Sequence, residues 1–404
     1  MANTNLTHQM IAREAAKILM EESPFIANIN KGRQDEFGEA IGGYKKGDTV
    51  KIGIHSVNAV YSGAVFAGGG ATPDNIENYV NLSLNTQKHV PLAFGAKEKL
   101  LEVSDFKERI LRPQMRALSS VVEADLLSQA VQATPSLVGT VGSVPTTMKT
   151  YAQARAKLEA YLAPVSDRSM IYSSNANIEL VDASKALFSA KSEIERGFLR
   201  GMLGEAQGAD FYEHQSIAAI TNGTQATGFA VNGSIVEGAT ALAAKSLTNL
   251  ATLKKGQVFT IAGIYGVHPL TGTATTDLQQ FVVTADFAAA GTTGSIPCYP
   301  AFKASAPNKT VSALPTDGLV VTLVGAASTA YKQNIMFQKD AFTAAFAPLP
   351  VLASCEGYTA RLPNGMSVRV MTFGDGVNDL EKTRIDVLYG FAAVRPLHAC
   401  RVTE

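Results

Sequence analysis

FKERILRPQMRALSSVVEADLLSQAVQA, residues 106–133, carries the clearest long helical pattern in the chain. Pro113 suits a first helical turn because its missing N–H removes no intrahelical bond, and residues 114–132 contain neither Gly nor Pro. Apolar side chains recur at the three- and four-residue steps of one helical face, at Met115, Leu118, Val122, Leu126 and Ala130. A second apolar flank consists of Val121, Leu127 and Val131. A helix apolar over so much of its circumference packs on more than one side, so we predict a spine helix, of which residues 114–132 span about 28 Å.

The chain before the spine helix divides into two parts. Residues 1–36 predict an arm with an amphipathic helix at 5–22, whose apolar face holds Met10, Ile11, Ala15, Ile18 and Leu19. Residues 37–95 are rich in glycine, and apolar residues alternate at 50–54 and 80–84, which predicts a long hairpin. Because an isolated two-stranded hairpin is only marginally stable in water, we expect its own domain or another subunit to support it.

The chain after the spine helix predicts an α/β domain that is interrupted by a β-rich segment. Residues 150–222 predict helices at Tyr151–Leu162 and Asn177–Ala190, a strand at Ser169–Ser173, and a loop with helical turns at Phe198–Phe211. Residues 223–333 predict an all-β module, a small barrel, with strands at Val258–Ala262, Phe281–Thr284, Thr310–Leu314 and Leu319–Val324. Residues 334–404 predict strands at Ile335–Phe337, Ser367–Thr372 and Arg384–Gly390, and a short helix at Lys339–Phe346. The predicted fold class is therefore α+β, with the two ends of the insertion close together.

Composition narrows the possible functions. The chain has 404 residues and is 46% apolar, which is enough for a real core and for two or three domains. Charged residues make up 17%, against about 25% in typical soluble proteins, so we expect much of the surface to be covered in the working state. Lys plus Arg equals Asp plus Glu, at 35 each, which argues against a dedicated nucleic-acid binder. The scattered cysteines, Cys298, Cys355 and Cys400, favour free thiols in a reducing cytoplasm, and the sequence predicts neither a signal peptide nor a membrane span.

One segment resembles a catalytic motif. Residues 372–379, TFGDGVND, resemble the magnesium-binding turn of P-type ATPases and related phosphatases, with Asp375 and Asp379 as candidate ligands. Those enzymes need a separate nucleophilic Asp in a segment that this chain lacks, so a tight turn is the favoured interpretation. The six histidines are scattered, and no P-loop or GxSxG elbow is present. The sequence therefore predicts no catalytic, cofactor or metal site.

Basic residues are too dispersed to form an evident nucleic-acid surface. The nearest approaches to a cluster are Lys45-Lys46, Lys254-Lys255 and the trio Lys107, Arg109 and Arg112. A solvated face is the favoured interpretation, and a weak contact to nucleic acid through phosphate neutralisation is the alternative.

The order of these segments resembles the major capsid proteins of tailed phages, which have the HK97-like fold, and in particular the P22-type coat proteins. Residues 12–15 and 25–30 look like the arm of that family, and 47–52 like its first hairpin strand. Residues 256–263 and 280–283 look like the start of its inserted domain, and 337–342 like the return to the α/β domain. Residues 389–390 and 394–396 look like its terminal strand. No single motif is diagnostic, and the order of the set carries the resemblance.

The resemblance implies a shell subunit and not an enzyme. It assigns 1–36 to an N-terminal arm, 37–95 to the extended loop, 96–149 to a peripheral domain, 150–222 with 334–404 to the central domain, and 223–333 to the inserted domain. It implies hexamers and pentamers of an icosahedral procapsid that forms around scaffolding protein in the bacterial host cytoplasm. It also implies a virion capsid that expands as double-stranded DNA enters through a portal protein, without a membrane.

Two alternatives remain open from the sequence. An encapsulin-like shell of a cellular compartment is the first, although encapsulins are usually shorter and lack such an inserted β module. The second is a magnesium-dependent phosphatase that uses Asp375 and Asp379.

We predict that deletion of residues 55–78 leaves a folded monomer that cannot form stable shells, because the hairpin is expected to contact other subunits. Sedimentation and electron microscopy of the purified variant check this. Loss of soluble, folded protein on the deletion would contradict the assignment of the hairpin as an intersubunit element.

Overall fold

A computed structural model describes residues 8–21, 23–32, 40–41, 44–45, 49–54, 78–95, 112–184, 204–305, 308–361, 366–375 and 380–404. Contacts divide the chain into two compact units. Unit 1 consists of Met1–Ile52, Val80–Leu127 and Phe342–Val394, and unit 2 of Gly53–Tyr79, Ser128–Ala341 and Arg395–Glu404. None of the helices within the described ranges has the length and apolarity that a membrane crossing requires.

Unit 1 is built on a five-stranded antiparallel sheet. Its strands are β5 (Thr86–Gly95), β20 (Phe342–Ala347), β21 (Glu356–Arg361), β22 (Ser367–Asp375) and β23 (Leu380–Ala393). The long strand β23 pairs with β5 from Leu380↔Gly95 to Tyr389↔Thr86. Along the opposite edge of β23, β22 pairs with residues 380–386 and β20 with residues 388–393. The sheet therefore joins segments nearly 300 positions apart in sequence.

Two short ribbons accompany this sheet. They are β1 (Ala40–Ile41) with β2 (Tyr44–Lys45), and β3 (Thr49–Ile54) with β4 (Asn78–Ser83). Val50, Ile52 and Leu82 are buried and pack in one cluster with Ala345 and Ala392 of the sheet. Gly390 is required here, because a Cβ at that position would lie 2.1 Å from the carbonyl oxygen of Ser83. The predicted middle of the hairpin, residues 55–77, lies outside the described residues.

The N-terminal segment contributes helices α1 (His8–Glu21) and α2 (Pro24–Asn28). The helix predicted at 5–22 is confirmed over 8–21, with Ala15 buried on its inner face. The side chains of Met10, Ile18 and Leu19 lie outside what the structure describes. Phe25 and Ile26 of α2 are fully buried, and the ring of Phe25 lies 6.0 Å from that of Phe342.

The spine helix is α3 (Arg112–Ala133), and residues 106–111 lie outside the described residues. All five residues of its predicted apolar face are buried, as are Leu127 and Val131 of the second flank. Val121 is 52% exposed, so its assignment to that flank was wrong. It is directly preceded by exposed Ser120, so this part of the helix faces solvent and the buried surface passes through Val122 and Glu123.

Unit 2 contains a second, mixed sheet. Its strands are β6 (Leu137–Val138), β7 (Arg168–Tyr172), β8 (Glu205–Ala206), β9 (Ala209–Glu213), β10 (Ala219–Thr221), β19 (Ala330–Gln338) and β24 (Ala399–Thr403). Strand β19 is central and pairs antiparallel with β7, β10 and β24. Helices α4 (Met148–Ala160) and α5 (Ser174–Ser184) cover a core that includes Tyr151, Leu158, Met170 and Tyr172.

The rest of unit 2 is the strand-rich segment 223–333. It contains β11 (Ala230–Val231), β12 (Ala239–Lys245), β13 (Thr252–Leu253), β14 (Val258–Val267), β15 (Ala274–Val283), β16 (Phe287–Ala288), β17 (Thr293–Phe302) and β18 (Val321–Leu323). Six of them form one sheet in the order β11-β12-β17-β15-β14-β18. Its outer strands are also joined, because Val231 N donates to Leu319 O (2.9 Å) and Val321 N to Phe229 O (2.8 Å). Its core contains Phe259 and Phe281, whose rings are stacked, and Phe302, whose ring is tilted against that of Phe281.

Three predicted elements differ in the structure. Residues 310–314 are not a strand, because Thr310 N and Val311 N both bond to Lys303 O in a loop. Instead of a loop with helical turns, the described part of 198–211 contains β8 and the start of β9, whose parallel pairing with β7 overrides the weak local signal. The helix predicted at 339–346 is one 3-10 turn, Lys339–Ala341, followed by β20, because pairing with β23 outweighs the helix propensity of its alanines.

The grouping of the C-terminal segments also differs from the sequence-based domains. The sequence placed 334–404 in one domain with 150–222. In the structure only β19 and β24 of that segment pair into the sheet of β7, whereas residues 342–394 belong to unit 1. Strand β5, expected in the hairpin 37–95, pairs with β23.

We predict that Val122→Ala lowers the free energy of unfolding by about 2 kcal/mol, because it removes two buried methyl groups and leaves a cavity. The adjacent Val121→Ala is the matched control and should change stability by less than about 0.5 kcal/mol. Urea denaturation followed by circular dichroism measures both. Equal losses for the two variants would show that the two helix faces are not distinguished by burial.

Candidate functional site

A buried carboxylate fastens the N-terminal segment of unit 1 to the spine helix. Glu123 of α3 is fully buried and accepts hydrogen bonds from Phe25 N (Oε1, 2.7 Å) and Ile26 N (Oε2, 3.4 Å), the first free N–H groups of α2. One helical turn earlier, Ser119 Oγ lies 2.6 Å from Ser23 Oγ. At the other end of α2, Lys31 Nζ donates to Ile26 O (2.7 Å). We call Ser23, Ser119 and Glu123 the arm lock.

The charge of Glu123 in the arm lock depends on pH near neutrality. Burial raises the pKa of Glu123 from 4.5 to about 7, and the hydrogen bonds from Phe25, Ile26 and Ser23 offset part of that effect. The carboxyl therefore changes charge near neutral pH, where an ordinary glutamate is fully ionised. Sequence analysis missed this residue, although Ser119 and Glu123 lie four residues apart, next to the apolar positions of the spine helix.

A second buried cluster holds the sheet of unit 1. Asp386 of β23 is 1% exposed and accepts hydrogen bonds from Arg369 Nη2 (2.8 Å) and from Arg384 Nε (2.6 Å). Gln87 of β5 donates to the same carboxylate (3.1 Å), and Arg369 Nη1 donates to Pro350 O (2.6 Å). The cluster joins β5, β22 and β23. Separation of Asp386 from Arg369 would leave each charge buried without its ion-pair partner, so a shifted strand register is unfavourable.

The strand-rich segment of unit 2 is held to the mixed sheet by polar contacts at its base. Leu137 and the side chain of Gln280 exchange two hydrogen bonds of 2.9 Å. Lys157 Nζ pairs with Asp277 (2.7 Å), and Tyr161 Oη donates to Gln279 (3.2 Å). Where the segment begins and ends, Asn222 Nδ2 donates to both Val324 O and Ala326 O (3.0 Å each). The two ends are thus joined directly.

A cleft in unit 2 has a volume of about 440 Å³ and lies between α4, β6 and the strands β14 and β15. Its walls include Leu137, Val138, Ala160 and Val267. Its charged residues, Lys157 and Asp277, are paired with each other, so neither is placed as a separate acid or base.

The motif-based candidates lie mostly outside the described residues. Asp375 ends β22 and pairs in register with Leu380, and its side chain and residues 376–379, with Asp379, lie outside the described residues. Among the described residues, no group of three or more His, Cys, Asp or Glu side chains could hold a metal ion. All three cysteines are free, and burial raises the pKa of Cys298 and of Cys400 to about 12.

Of the basic groups, Lys254-Lys255 is the one whose side chains the structure describes. Lys254 Nζ pairs with Asp286 (2.8 Å), and the backbone N–H of Lys255 donates to the same carboxylate (2.8 Å). These bonds lower the pKa of Asp286. Asp286 therefore partly neutralises the positive charge of Lys254-Lys255, which weakens these two lysines as a phosphate contact.

Several large apolar side chains of unit 2 are exposed, among them Val236 (74%), Leu250 (77%) and Leu270 (59%) in the strand-rich segment. Leu250 also has a left-handed backbone, with φ of 62°, which leucine rarely adopts. It lies in a turn in which Leu250 N donates to Ala289 O and Ala251 N to Thr248 O. Leu250 therefore exposes most of its side chain at a turn whose backbone conformation leucine rarely adopts.

Comparison with known proteins gives one match that covers most of the chain. A family model described as "P22 coat protein - gene protein 5" matches residues 61–401. A search of curated proteins gave no match.

The chain is also similar to solved structures. One is from Mycobacterium phage Che8, with 13% identity, a TM-score of 0.46, and coverage of 94% of this chain and 90% of that chain. Another is the asymmetric unit of the bacteriophage PhiM1 mature capsid, with 10% identity, a TM-score of 0.44, and coverage of 88% of this chain and 82% of that chain. A third is the capsid of cyanophage P-SCSP1u, with 9% identity, a TM-score of 0.44, and coverage of 94% of this chain and 98% of that chain. TM-scores below 0.5 are too low to assign a fold.

We predict that the difference in unfolding free energy between the wild type and Glu123→Gln depends on pH. Since the folded-state pKa of Glu123 is raised above 4.5 to about 7, its contribution is fully present below pH 4.5 and is lost as pH rises through 7. From pH 4.5 to 8 the variant should therefore gain about 3 kcal/mol of unfolding free energy relative to the wild type. Urea denaturation at a series of pH values measures the difference.

Glu159→Gln is the control for this prediction. Glu159 is exposed, and its hydrogen bond from Arg155 lowers its pKa, so it stays ionised over this range and should show no such trend. A wild-type pH dependence that is unchanged in Glu123→Gln would contradict the assignment.

Proposed function

The chain belongs to the P22 coat protein family, and we propose that copies of it assemble into an icosahedral procapsid. It is a structural subunit of a bacteriophage capsid. The procapsid forms around a scaffolding protein in the cytoplasm of the bacterial host. It receives double-stranded DNA through a portal protein and matures into the virion capsid. The family match over residues 61–401 carries this proposal.

Hexamers and pentamers of the subunit make up this shell. The low charged fraction of 17% and the exposed apolar residues Val236, Leu250 and Leu270 support a surface that neighbouring copies cover. An encapsulin-like compartment is not favoured, because the matching family is that of a phage coat protein.

The proposed architecture is HK97-like, with 1–36 as arm, 37–95 as extended loop, 96–149 as peripheral domain, and 223–333 as an inserted β-barrel. Hydrogen bonds between the outer strands β11 and β18 support the barrel, and Asn222 supports the insertion by joining its two ends. The central domain was proposed as 150–222 with 334–404. The sheet pairing favours assigning 342–394 to the layer that contains β5 and most of the spine helix.

The subunit is not an enzyme in this proposal, and it uses no cofactor. Asp375 is the last residue of β22 and pairs in register with Leu380 of β23, which supports a structural role for Asp375 over a phosphatase site. Contact with DNA is weak and non-specific, as equal totals of 35 basic and 35 acidic residues favour.

Assembly tests this function. We predict that wild-type protein with its scaffolding partner sediments as shells visible by electron microscopy. Leu250→Asp should assemble at least tenfold less, because a charge is placed in an apolar contact, whereas its monomer keeps normal stability since Asp tolerates a left-handed backbone.

Asn249→Asp is the matched control, because it adds the same charge at the adjacent exposed position without removing an apolar side chain. It should assemble normally. Wild-type protein that stays as small species would overturn the proposed function. Normal assembly of Leu250→Asp would overturn only the assignment of the contact surface.

A further inference from the structure

The buried carboxylate of Asp386 in unit 1 is shared by two arginines. Arg369 donates to it through Nε (3.2 Å) and Nη2 (2.8 Å), and Arg384 donates through Nε (2.6 Å). Arg369 uses its remaining nitrogen as well, because Nη1 donates to Pro350 O (2.6 Å). Nη1 and Nη2 of Arg384 have no hydrogen-bond partner among the described residues, and its side chain is 35% exposed. Two cations therefore share one anion, and the excess charge reaches solvent at Arg384.

The strand register determines which side chains accompany Arg384. Directly paired residues of an antiparallel sheet place their side chains on the same face. Arg384 of β23 pairs with Pro91 of β5 and Met371 of β22, and Lys382 of β23 pairs with Phe373 of β22. Lys382 and Arg384 are two residues apart on one strand, so they lie about 6.8 Å apart along this face. We call the surface formed by Pro91, Phe373, Lys382 and Arg384 the cationic face.

The cationic face is accessible to solvent in the described part of the chain. The β3–β4 ribbon packs on the same side of the sheet, but at the other end of β23, near Ala392. Phe373 is 39% exposed, and Pro91 is exposed as well. Among the described strand side chains on this side, Asp386 is the one carboxylate, and it is 1% exposed. The side chain of Asp375, at the end of β22, lies outside the described residues.

The geometry of Arg384 suits a phosphate group. Because Asp386 holds Nε, the two terminal nitrogens of Arg384 have a fixed direction, and arginine binds phosphate through two parallel N–H donors. Lys382 adds a point charge on the same face. The separation of about 6.8 Å is twice the spacing of phosphates along one DNA strand, so both cations can contact the same strand.

We propose that the cationic face binds the phosphate backbone of double-stranded DNA, with Arg384 and Lys382 as the contacts. This inference rests on the proposed function, which brings the subunit into contact with packaged DNA. Asp386 is a positioning residue, because it orients Arg384. Two phosphate contacts from each copy make the binding weak and independent of base sequence. The contact is not evident in the sequence, because Pro91 and Arg384 are brought together by strand pairing.

Fluorescence anisotropy of a labelled DNA duplex of mixed sequence, titrated with the full-length chain at several NaCl concentrations, tests the cationic face. For the wild type, the logarithm of the binding constant should fall with the logarithm of the salt concentration with a slope of about −2. Arg384→Gln should bind about tenfold more weakly at low salt and reduce the steepness of the slope by about 1. Lys382→Gln leaves both bonds from Arg384 and Arg369 to Asp386 in place and should have the same effect. Arg155→Gln, at a partly exposed arginine of unit 2, is the matched control and should bind like the wild type.

Duplex binding by Arg384→Gln and Lys382→Gln that equals that of the wild type would overturn the proposal. A wild type that binds polyglutamate but not the duplex would also overturn it, and would assign the face to an acidic protein segment. Shell assembly with scaffolding protein is measured separately, without DNA. Shells without Arg384-dependent DNA binding overturn only this inference, whereas Arg384-dependent DNA binding without shells overturns only the proposed function.

Discussion

The pairing of β5 with β23 is the constraint on which unit 1 depends. Ten residue pairs, from Leu380↔Gly95 to Tyr389↔Thr86, fix two segments that lie almost 300 positions apart. A shift of one residue would turn every side chain of β23 to the opposite face. This register places Asp386 beside Gln87, and the β22–β23 pairing places Arg369 on the other side of Asp386. Tyr389 Oη lies 2.5 Å from Asp125 of the spine helix. Burial, and next the bond to Asp125, raises the pKa of Tyr389, so the phenol remains a neutral donor in this contact.

Buried polar groups in each unit favour one arrangement of its segments over others. In unit 1 the carboxylates of Glu123 and Asp386 are enclosed and satisfied by donors from other segments. In unit 2 Asn222 joins the ends of the strand-rich segment, and Gln280 fastens that segment to β6. Such groups cost free energy unless every partner is present, so they discriminate against misplaced segments more than they add stability.

Unit 2 carries a cleft and several exposed apolar side chains. In the cleft of about 440 Å³, Lys157 and Asp277 form an ion pair with each other. The features that monomer stability does not explain are exposed apolar side chains such as Leu250, which also occupies a strained turn. Neighbouring copies in a shell would bury these side chains, and the family match gives that interpretation its basis.

The sequence by itself determined the elements with strong local periodicity, the family, and the strand-rich character of 223–333. The face of the spine helix at Met115, Leu118, Val122, Leu126 and Ala130 was predictable because helical spacing reports burial directly. Tertiary structure alone decided that residues 342–347 form a strand and that β5 pairs with β23. It also decided that Glu123 and Arg401 are buried. Each of these outcomes depends on a partner far away in the chain. Local propensity is worth less than about 1 kcal/mol per residue, so long-range pairing and burial outweigh it.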